Sequence, residues 1–155
     1  MSSAPTVAVE LDIDELRRSE GRHLGYGDWA EMTQTQVDAF ADCTGDHNFL
    51  HVDPQRAKLT PFGGTIAHGF LSLALLAPVT QRLAVTDAKM SVNYGLDKVR
   101  FPAPLPVGAQ WRGGAEIVEV TDINGGIQVK LAATIEVQGS ERPAVAAECL
   151  VRYYA

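Results

Sequence analysis

Ile66-Ala67-His68-Gly69-Phe70-Leu71-Ser72-Leu73-Ala74-Leu75-Leu76-Ala77 is the stretch on which the fold turns. It is too long and too continuously apolar for a surface strand, so it reads as a buried helix, with Pro78 kinking or ending it. A helix apolar on nearly all sides needs covering on nearly all sides. A curved sheet wrapped around it would supply that cover.

The second half of the chain offers such a sheet. Met90 to Arg100 is strand-like, and Pro102, Pro104 and Pro106 make a stiff connection to a further strand over residues 109–120. Asn124-Gly125-Gly126 is a strong hairpin signal. Beyond it Ile127, Val129, Leu131, Ala133, Ile135 and Val137 alternate with Gln128, Lys130, Ala132, Thr134, Glu136 and Gln138. This is the clearest strand in the sequence, one face buried and the other wet. Residues 144–154 give the last strand.

Working back toward the N-terminus, Thr33 and Gln36 have capping-box spacing. Val37, Phe40, Ala41 and Thr44 follow at helical intervals, and Gly45 is a good stop. That puts Asp46 just beyond a helix, on a loop Asp46-His47-Asn48-Phe49-Leu50-His51. Val52-Asp53-Pro54 continues in a non-helical conformation, because a residue before proline avoids the helical region. Pro61-Phe62-Gly63-Gly64-Thr65 is another turn. Residues 23–32 read as a strand broken by a turn or bulge at Gly25 and Gly27. Asp12 and Glu15 form a capping box for a short helix that Gly21 ends, and residues 1–6 are small and polar enough to fray. There is no βαβ rhythm and no repeat or linker. The expectation is one α+β domain over residues 1–155 with a short N-terminal extension.

Composition narrows the partners. Apolar residues make up 46% and charged residues 21%, an ordinary globular balance able to support one core. Thirteen basic against nineteen acidic residues give a net charge of -6 with no dense basic run, which argues against nucleic acid. The longest apolar stretch holds Ser72 and Pro78 and is too short to span a bilayer. No secretion signal is visible. Cys43 and Cys149 lack CxxC spacing; one disulfide is an alternative, but they read rather as two buried thiols in a reduced compartment, so a cytoplasmic protein is expected.

Asp46 and His51 stand five positions apart, where a loop can bring both side chains around one water. Histidine exchanges protons near neutral pH, and a carboxylate accepts a proton or orients a water. Asn48 can hold the loop by bonding nearby backbone, and Asp53 before Pro54 can brace its far side. On spacing alone a plain polar turn explains these residues as well. His47 and His51 with Asp46 or Asp53 raise a metal site, which the absence of HExxH spacing and of a neighbouring cysteine disfavours.

Gly69 counts through its backbone. Near a helix start its N–H is free to receive a carbonyl oxygen on which negative charge develops, although close packing alone would also ask for glycine. His68 reads as a hydrogen-bonded structural residue. Tyr94-Gly95 either lines a pocket or forms an ordinary bulge. Lys98, Arg100, Arg56 and Lys58 can meet phosphates or simply solvate a surface. Trp29 and Trp111 read as packing residues, and Ser72 lacks a nucleophile-elbow context.

Taken together, Asp46-x-Asn48-x-x-His51-x-Asp53-Pro54 and Ala67-His68-Gly69-Phe70-Leu71 resemble the MaoC-like dehydratases, and more narrowly the R-specific enoyl-CoA hydratases, or hydratase 2. Asn93-Tyr94-Gly95 and Lys98-Val99-Arg100-Phe101-Pro102 extend the resemblance, which covers residues 26–154. It implies a hotdog fold, an antiparallel sheet wrapped around a long central helix, in a homodimer whose acyl-thioester sites lie near the subunit boundary. It implies that Asp46 and His51 are an acid–base pair holding water, that Gly69 polarises the thioester carbonyl, and that Asn48 organises the active loop; with Tyr94 read as a pocket-lining residue, the expected substrate-binding residues are Asn48, Gly69 and Tyr94. The implied reaction is reversible hydration of a trans-2-enoyl-CoA to an (R)-3-hydroxyacyl-CoA, needing no cofactor and no metal.

Fold alone does not choose the reaction, since hotdog proteins include thioesterases. An acyl-CoA thioesterase and a non-catalytic acyl-thioester-binding module are the alternatives. One departure is visible. The family commonly has proline after the motif asparagine, and this sequence has Phe49.

Overall fold

The computed structural model describes residues 6–155; the fraying expected at the start of the chain falls mainly on residues 1–5, outside those described. In chain order the elements are β1 (Val9–Leu11), α1 (Ile13–Leu16), β2 (His23–Tyr26), β3 (Ala30–Glu31), α2 (Gln34–Thr44), α3 (Phe49–Val52) and α4 (Pro54–Ala57). There follow α5 (Gly69–Ala74), α6 (Leu76–Thr80), β4 (Leu83–Val85), β5 (Met90–Arg100), β6 (Gln110–Ile123), β7 (Gly126–Val137) and β8 (Val145–Tyr154).

The main sheet runs β2-β6-β7-β8-β5 with β3 also on β6, and all of its pairings are antiparallel. Asn124-Gly125 closes the β6–β7 hairpin in two residues, Ile123 facing Gly126, and Gly125 takes the left-handed φ of 82° that such a tight turn requires. Along β7 the alternation holds without a break: Ile127, Val129, Leu131, Ala133, Ile135 and Val137 are buried. They meet Leu71, Leu75, Leu76 and Val79 in one core. Each of the larger aliphatic side chains stabilises the fold by about 1.5–3 kcal/mol through its burial.

The architecture is α+β and hotdog-like, with two corrections to the expected central helix. It is not one long helix. Pro78 has no N–H to give the Ala74 carbonyl and its ring crowds that carbonyl, so the ladder opens a turn upstream and the segment divides at Leu75 into α5 and α6. The sheet also does not curl around it. The sheet buries Leu71, Leu75, Leu76 and Val79, whereas Phe70, Ala74, Ala77 and Pro78 face outward, Phe70 at 74% exposure.

Smaller differences have local causes. Asp12 and Glu15 make the complete reciprocal capping box, but α1 ends at Leu16, and Gly21 (φ 89°) serves a later turn into β2. Thr33 caps α2 by accepting from the Gln36 N–H at 3.1 Å, which is half of the expected box. Gly45 stops α2 as expected, at φ 83°. β1 and β4 form a separate parallel pair, Val9 opposite Leu83, too short for sequence periodicity to have flagged. Both cysteines are free, but only Cys149 is buried; Cys43 is exposed on the open side of α2.

Candidate active site

Beyond Gly45 the chain turns through local side-chain bonds. The Asp46 Oδ1 accepts from the Asn48 N–H at 3.2 Å, and the Asn48 Oδ1 accepts from the Leu50 N–H at 3.0 Å, which starts α3. His51 therefore sits on a one-turn helix, not on a continuous loop, and Val52 is still helical. Asp53 (φ -121°, ψ 90°) is the extended residue that Pro54 demands, and its Oδ1 caps α4 through the Arg56 N–H at 3.1 Å. Asn48 and Asp53 thus do what their types suggested: one opens α3 and the other opens α4.

This scaffold brings Asp46 and His51 together with a third residue. One carboxylate oxygen or ring nitrogen from each of Asp46, His51 and His68 lies within 4.8 Å of the others. His51 Nδ1 donates to the Ile66 carbonyl at 2.7 Å, so in the neutral ring Nε2 keeps its lone pair. His68 Nε2 donates to the Asp46 backbone carbonyl at 2.9 Å. The two imidazoles stack at 3.9 Å with a 27° tilt. Asp46 is exposed, His51 half-buried and His68 buried.

The metal set considered from sequence is not the one assembled. His47 turns away to the Asp42 carboxylate at 2.9 Å, whose hydrogen bond raises the imidazole above its ordinary pKa. Asp53 is occupied as a cap. One nitrogen of each imidazole is committed to a carbonyl, and the remaining nitrogen of His68 is buried, which leaves His51 Nε2 and the Asp46 carboxylate as the accessible groups able to hold a water.

Gly69 opens α5 directly after His68, which provides no side-chain cap. The first-turn N–H groups at Gly69 and Phe70 have no intrahelical carbonyl to bond. A Cβ on Gly69 would meet the Phe101 ring at 3.3 Å, so close packing and an open backbone donor both favour glycine here. Tyr94 lies on the exposed edge strand β5 and lines an apolar groove of about 300 Å³ with Leu73, Ala74, Ala77, Leu96 and Cys149. Its ring stacks on the Arg152 guanidinium, 3.2 Å from the ring centre, and neither Asp46 nor His51 lines that groove. Arg56 covers the Phe49 ring at 4.1 Å, and Lys98 pairs with Glu148 at 3.3 Å.

Gln34 was not singled out from sequence. Its Nε2 donates to the His51 carbonyl at 2.7 Å and to Asp38 at 2.9 Å, while its Oε1 accepts from Thr65 Oγ1 at 2.6 Å. It ties α2, α3 and the segment entering α5 to one another. Only its position just inside the Thr33 cap hints at this; its partners are distant in sequence.

A Gly-led helix against an antiparallel sheet, with a carboxylate and a histidine gathered at the helix start, defines a hotdog-like protein equipped for acid–base chemistry. The MaoC like domain model matches residues 16–139. The 3-hydroxyacyl-thioester dehydratase Z of Mycobacterium tuberculosis is 48% identical over 145 residues, covering 92% of this chain and 96% of that protein. Nodulation protein N of Rhizobium leguminosarum bv. viciae is 39% identical over 142 residues, covering 89% and 88%. Among solved structures, the (R)-hydratase from A. caviae involved in PHA biosynthesis superposes with a TM-score of 0.71 at 26% identity, over 85% of this chain and 94% of that one. The chain belongs to the MaoC-like dehydratase family. It is an enzyme of the hydratase/dehydratase class acting on acyl thioesters.

Proposed function

We propose that the enzyme hydrates trans-2-enoyl-CoA to (R)-3-hydroxyacyl-CoA, reversibly, with Asp46 and His51 as its acid–base pair and Gly69 as its backbone donor. The observation that carries this is the convergence of the Asp46 carboxylate with His51, whose Nδ1 bond to Ile66 leaves the Nε2 lone pair free in the neutral ring, at the start of α5. The (R) outcome is supported by the likeness to an (R)-hydratase.

Water held between the two groups gives a proton to the pair as its oxygen attacks the β-carbon. The electron pair of the double bond moves toward the thioester oxygen, where the N–H at Gly69 meets the developing charge; a preorganised donor of this kind is worth about 2.7–4 kcal/mol in the transition state. The pair then returns the proton to the α-carbon. Two coupled groups share this work, so the proton belongs to the pair. Asn48 holds the loop that presents Asp46, and the groove beside Tyr94 receives the acyl chain.

The same reading includes a homodimer. β5 is a sheet edge bearing exposed Met90, Val92, Tyr94 and Leu96, and Phe70 on α5 also faces outward. An edge this apolar calls for cover, and a second copy supplies it. Two free cysteines fit a reducing cytoplasm, and among the described residues no helix is long and apolar enough to cross a membrane.

The test is incubation with crotonyl-CoA and longer enoyl-CoAs, following loss of the conjugated double bond and resolving the product on a chiral column. (R)-3-hydroxyacyl-CoA from a sample that sediments as a dimer is the expected result. Thiol release without hydration would replace this reading with a thioesterase.

A further inference from the structure

We infer that His68 is a positioning residue for the hydration reaction, fixing Asp46 and His51 relative to the first N–H groups of α5. The inference rests on the reading of Asp46 and His51 as the acid–base pair.

His68 is 2% exposed, and its ring lies between two others: Phe40 at 4.9 Å and 55°, and His51 at 3.9 Å and 27°. One nitrogen is used and one is not. Nε2 donates to the Asp46 carbonyl, whereas Nδ1 is buried with no partner among the described residues. A buried acceptor left unpaired is a cost that phenylalanine or leucine at this position would avoid. Simple core packing therefore does not account for histidine. What the imidazole adds is a flat face for His51 and a single N–H aimed at Asp46.

Those two contacts act on both members of the pair. The bond to the Asp46 carbonyl anchors the main chain from which the carboxylate projects. The stack limits the rotation of the His51 ring about its Nδ1 bond to Ile66, and so keeps Nε2 pointed at the water position. His68 is also the residue whose peptide leads directly into Gly69. One side chain thereby sets the spacing between the water-activating groups and the donors at the carbonyl. Misplacing reacting groups by about 1 Å costs on the order of 10² in rate.

The test uses the full chain with His68→Phe, which keeps a ring against His51 but removes the donor, and His68→Gln, which restores an amide N–H toward Asp46. Folding is checked by circular dichroism, and kcat and KM are measured separately with crotonyl-CoA. His68→Phe should lose kcat by about 10–100-fold with little change in KM, and His68→Gln should recover a clear part of that loss. Folded His68→Phe with wild-type kcat overturns the inference, as does a loss that falls on KM alone.

Should the variants unfold, ¹⁵N NMR of the wild-type imidazoles decides it. A proton on His68 Nε2 that is protected from exchange is expected, and a proton on Nδ1 overturns the inference. Wild-type protein inactive on every enoyl thioester would instead sink the acid–base reading beneath it.

Discussion

Replacing Gly69 with alanine separates the folding role of this glycine from the chemical one proposed for it. Gly69 is not in the left-handed region, so alanine can adopt its backbone conformation, and loss of unfolded-state freedom favours the variant by about 0.4–1 kcal/mol. Against this, the new Cβ lies 3.3, 3.4 and 3.5 Å from three atoms of the Phe101 ring. Phe101 is 47% exposed and can yield, at an off-rotamer cost of about 0.5–1.5 kcal/mol. The two nearly cancel, and Tm should stay within about 4 °C of wild type.

Catalysis should respond quite differently. With the thioester oxygen at the N–H groups of α5, as proposed, a methyl group and a displaced Phe101 ring would stand in its approach. A shift of about 1 Å there costs about 10² in kcat, or about 2.7 kcal/mol. Stopped-flow hydration of crotonyl-CoA, beside a thermal melt of the same sample, reads both quantities. A folded Gly69→Ala enzyme within about threefold of the wild-type kcat would refute the placement of the carbonyl at this helix start, since the effect expected is about 10².

Other consequences are local. Asn48 already has the extended φ of -55° and ψ of 135° that a residue before proline prefers, and position 49 is the first of α3. Phe49→Pro should therefore fold and keep turnover, its gain of about 0.4–1 kcal/mol offset by the lost Arg56 contact; a melt lowered by more than about 5 °C would contradict this. The Asp42 hydrogen bond raises the His47 pKa, so the stability it adds is fully present below the ordinary imidazole value of about 6.5 and is lost as pH rises through the folded value. The Tm advantage of wild type over His47→Asn should shrink between pH 5.5 and 8.5, and an advantage that grows would show the sign to be wrong. Burial pushes the Cys149 thiol up to about 11, whereas Cys43 is exposed. Iodoacetamide at pH 8 should label Cys43 alone in the native protein, as peptide mapping will show.

The parts of the fold legible in sequence are those governed by neighbours along the chain. β7 announces itself because a sheet with one buried face needs a period of two, and Asn124-Gly125 because a two-residue hairpin needs positive φ. Asp46, Asn48 and His51 stand out as candidates because they fall within six positions of one another, and Gly69 because it precedes an apolar run. What escaped depends on distance or on a missing atom. The Gln34–Thr65 bond spans 31 positions and the His68–Asp46 bond 22, so no local pattern reports them. The effect of Pro78 appears four residues upstream, at the carbonyl it leaves without a donor. Apolarity at Phe70, Ala74 and Ala77 was plain, but sequence does not say which surface covers them, and among the described residues none does.

The central claim is that Asp46 and His51 act together on one water. Single-turnover hydration by Asp46→Asn, His51→Gln and the double variant tests it most directly, with folding verified in each. Groups that work as a unit lose nearly everything at the first removal, so each single variant should fall by at least about 10²-fold and the double variant little further. Single losses that are small, or that multiply in the double variant, would mean that the two residues do not share the reaction.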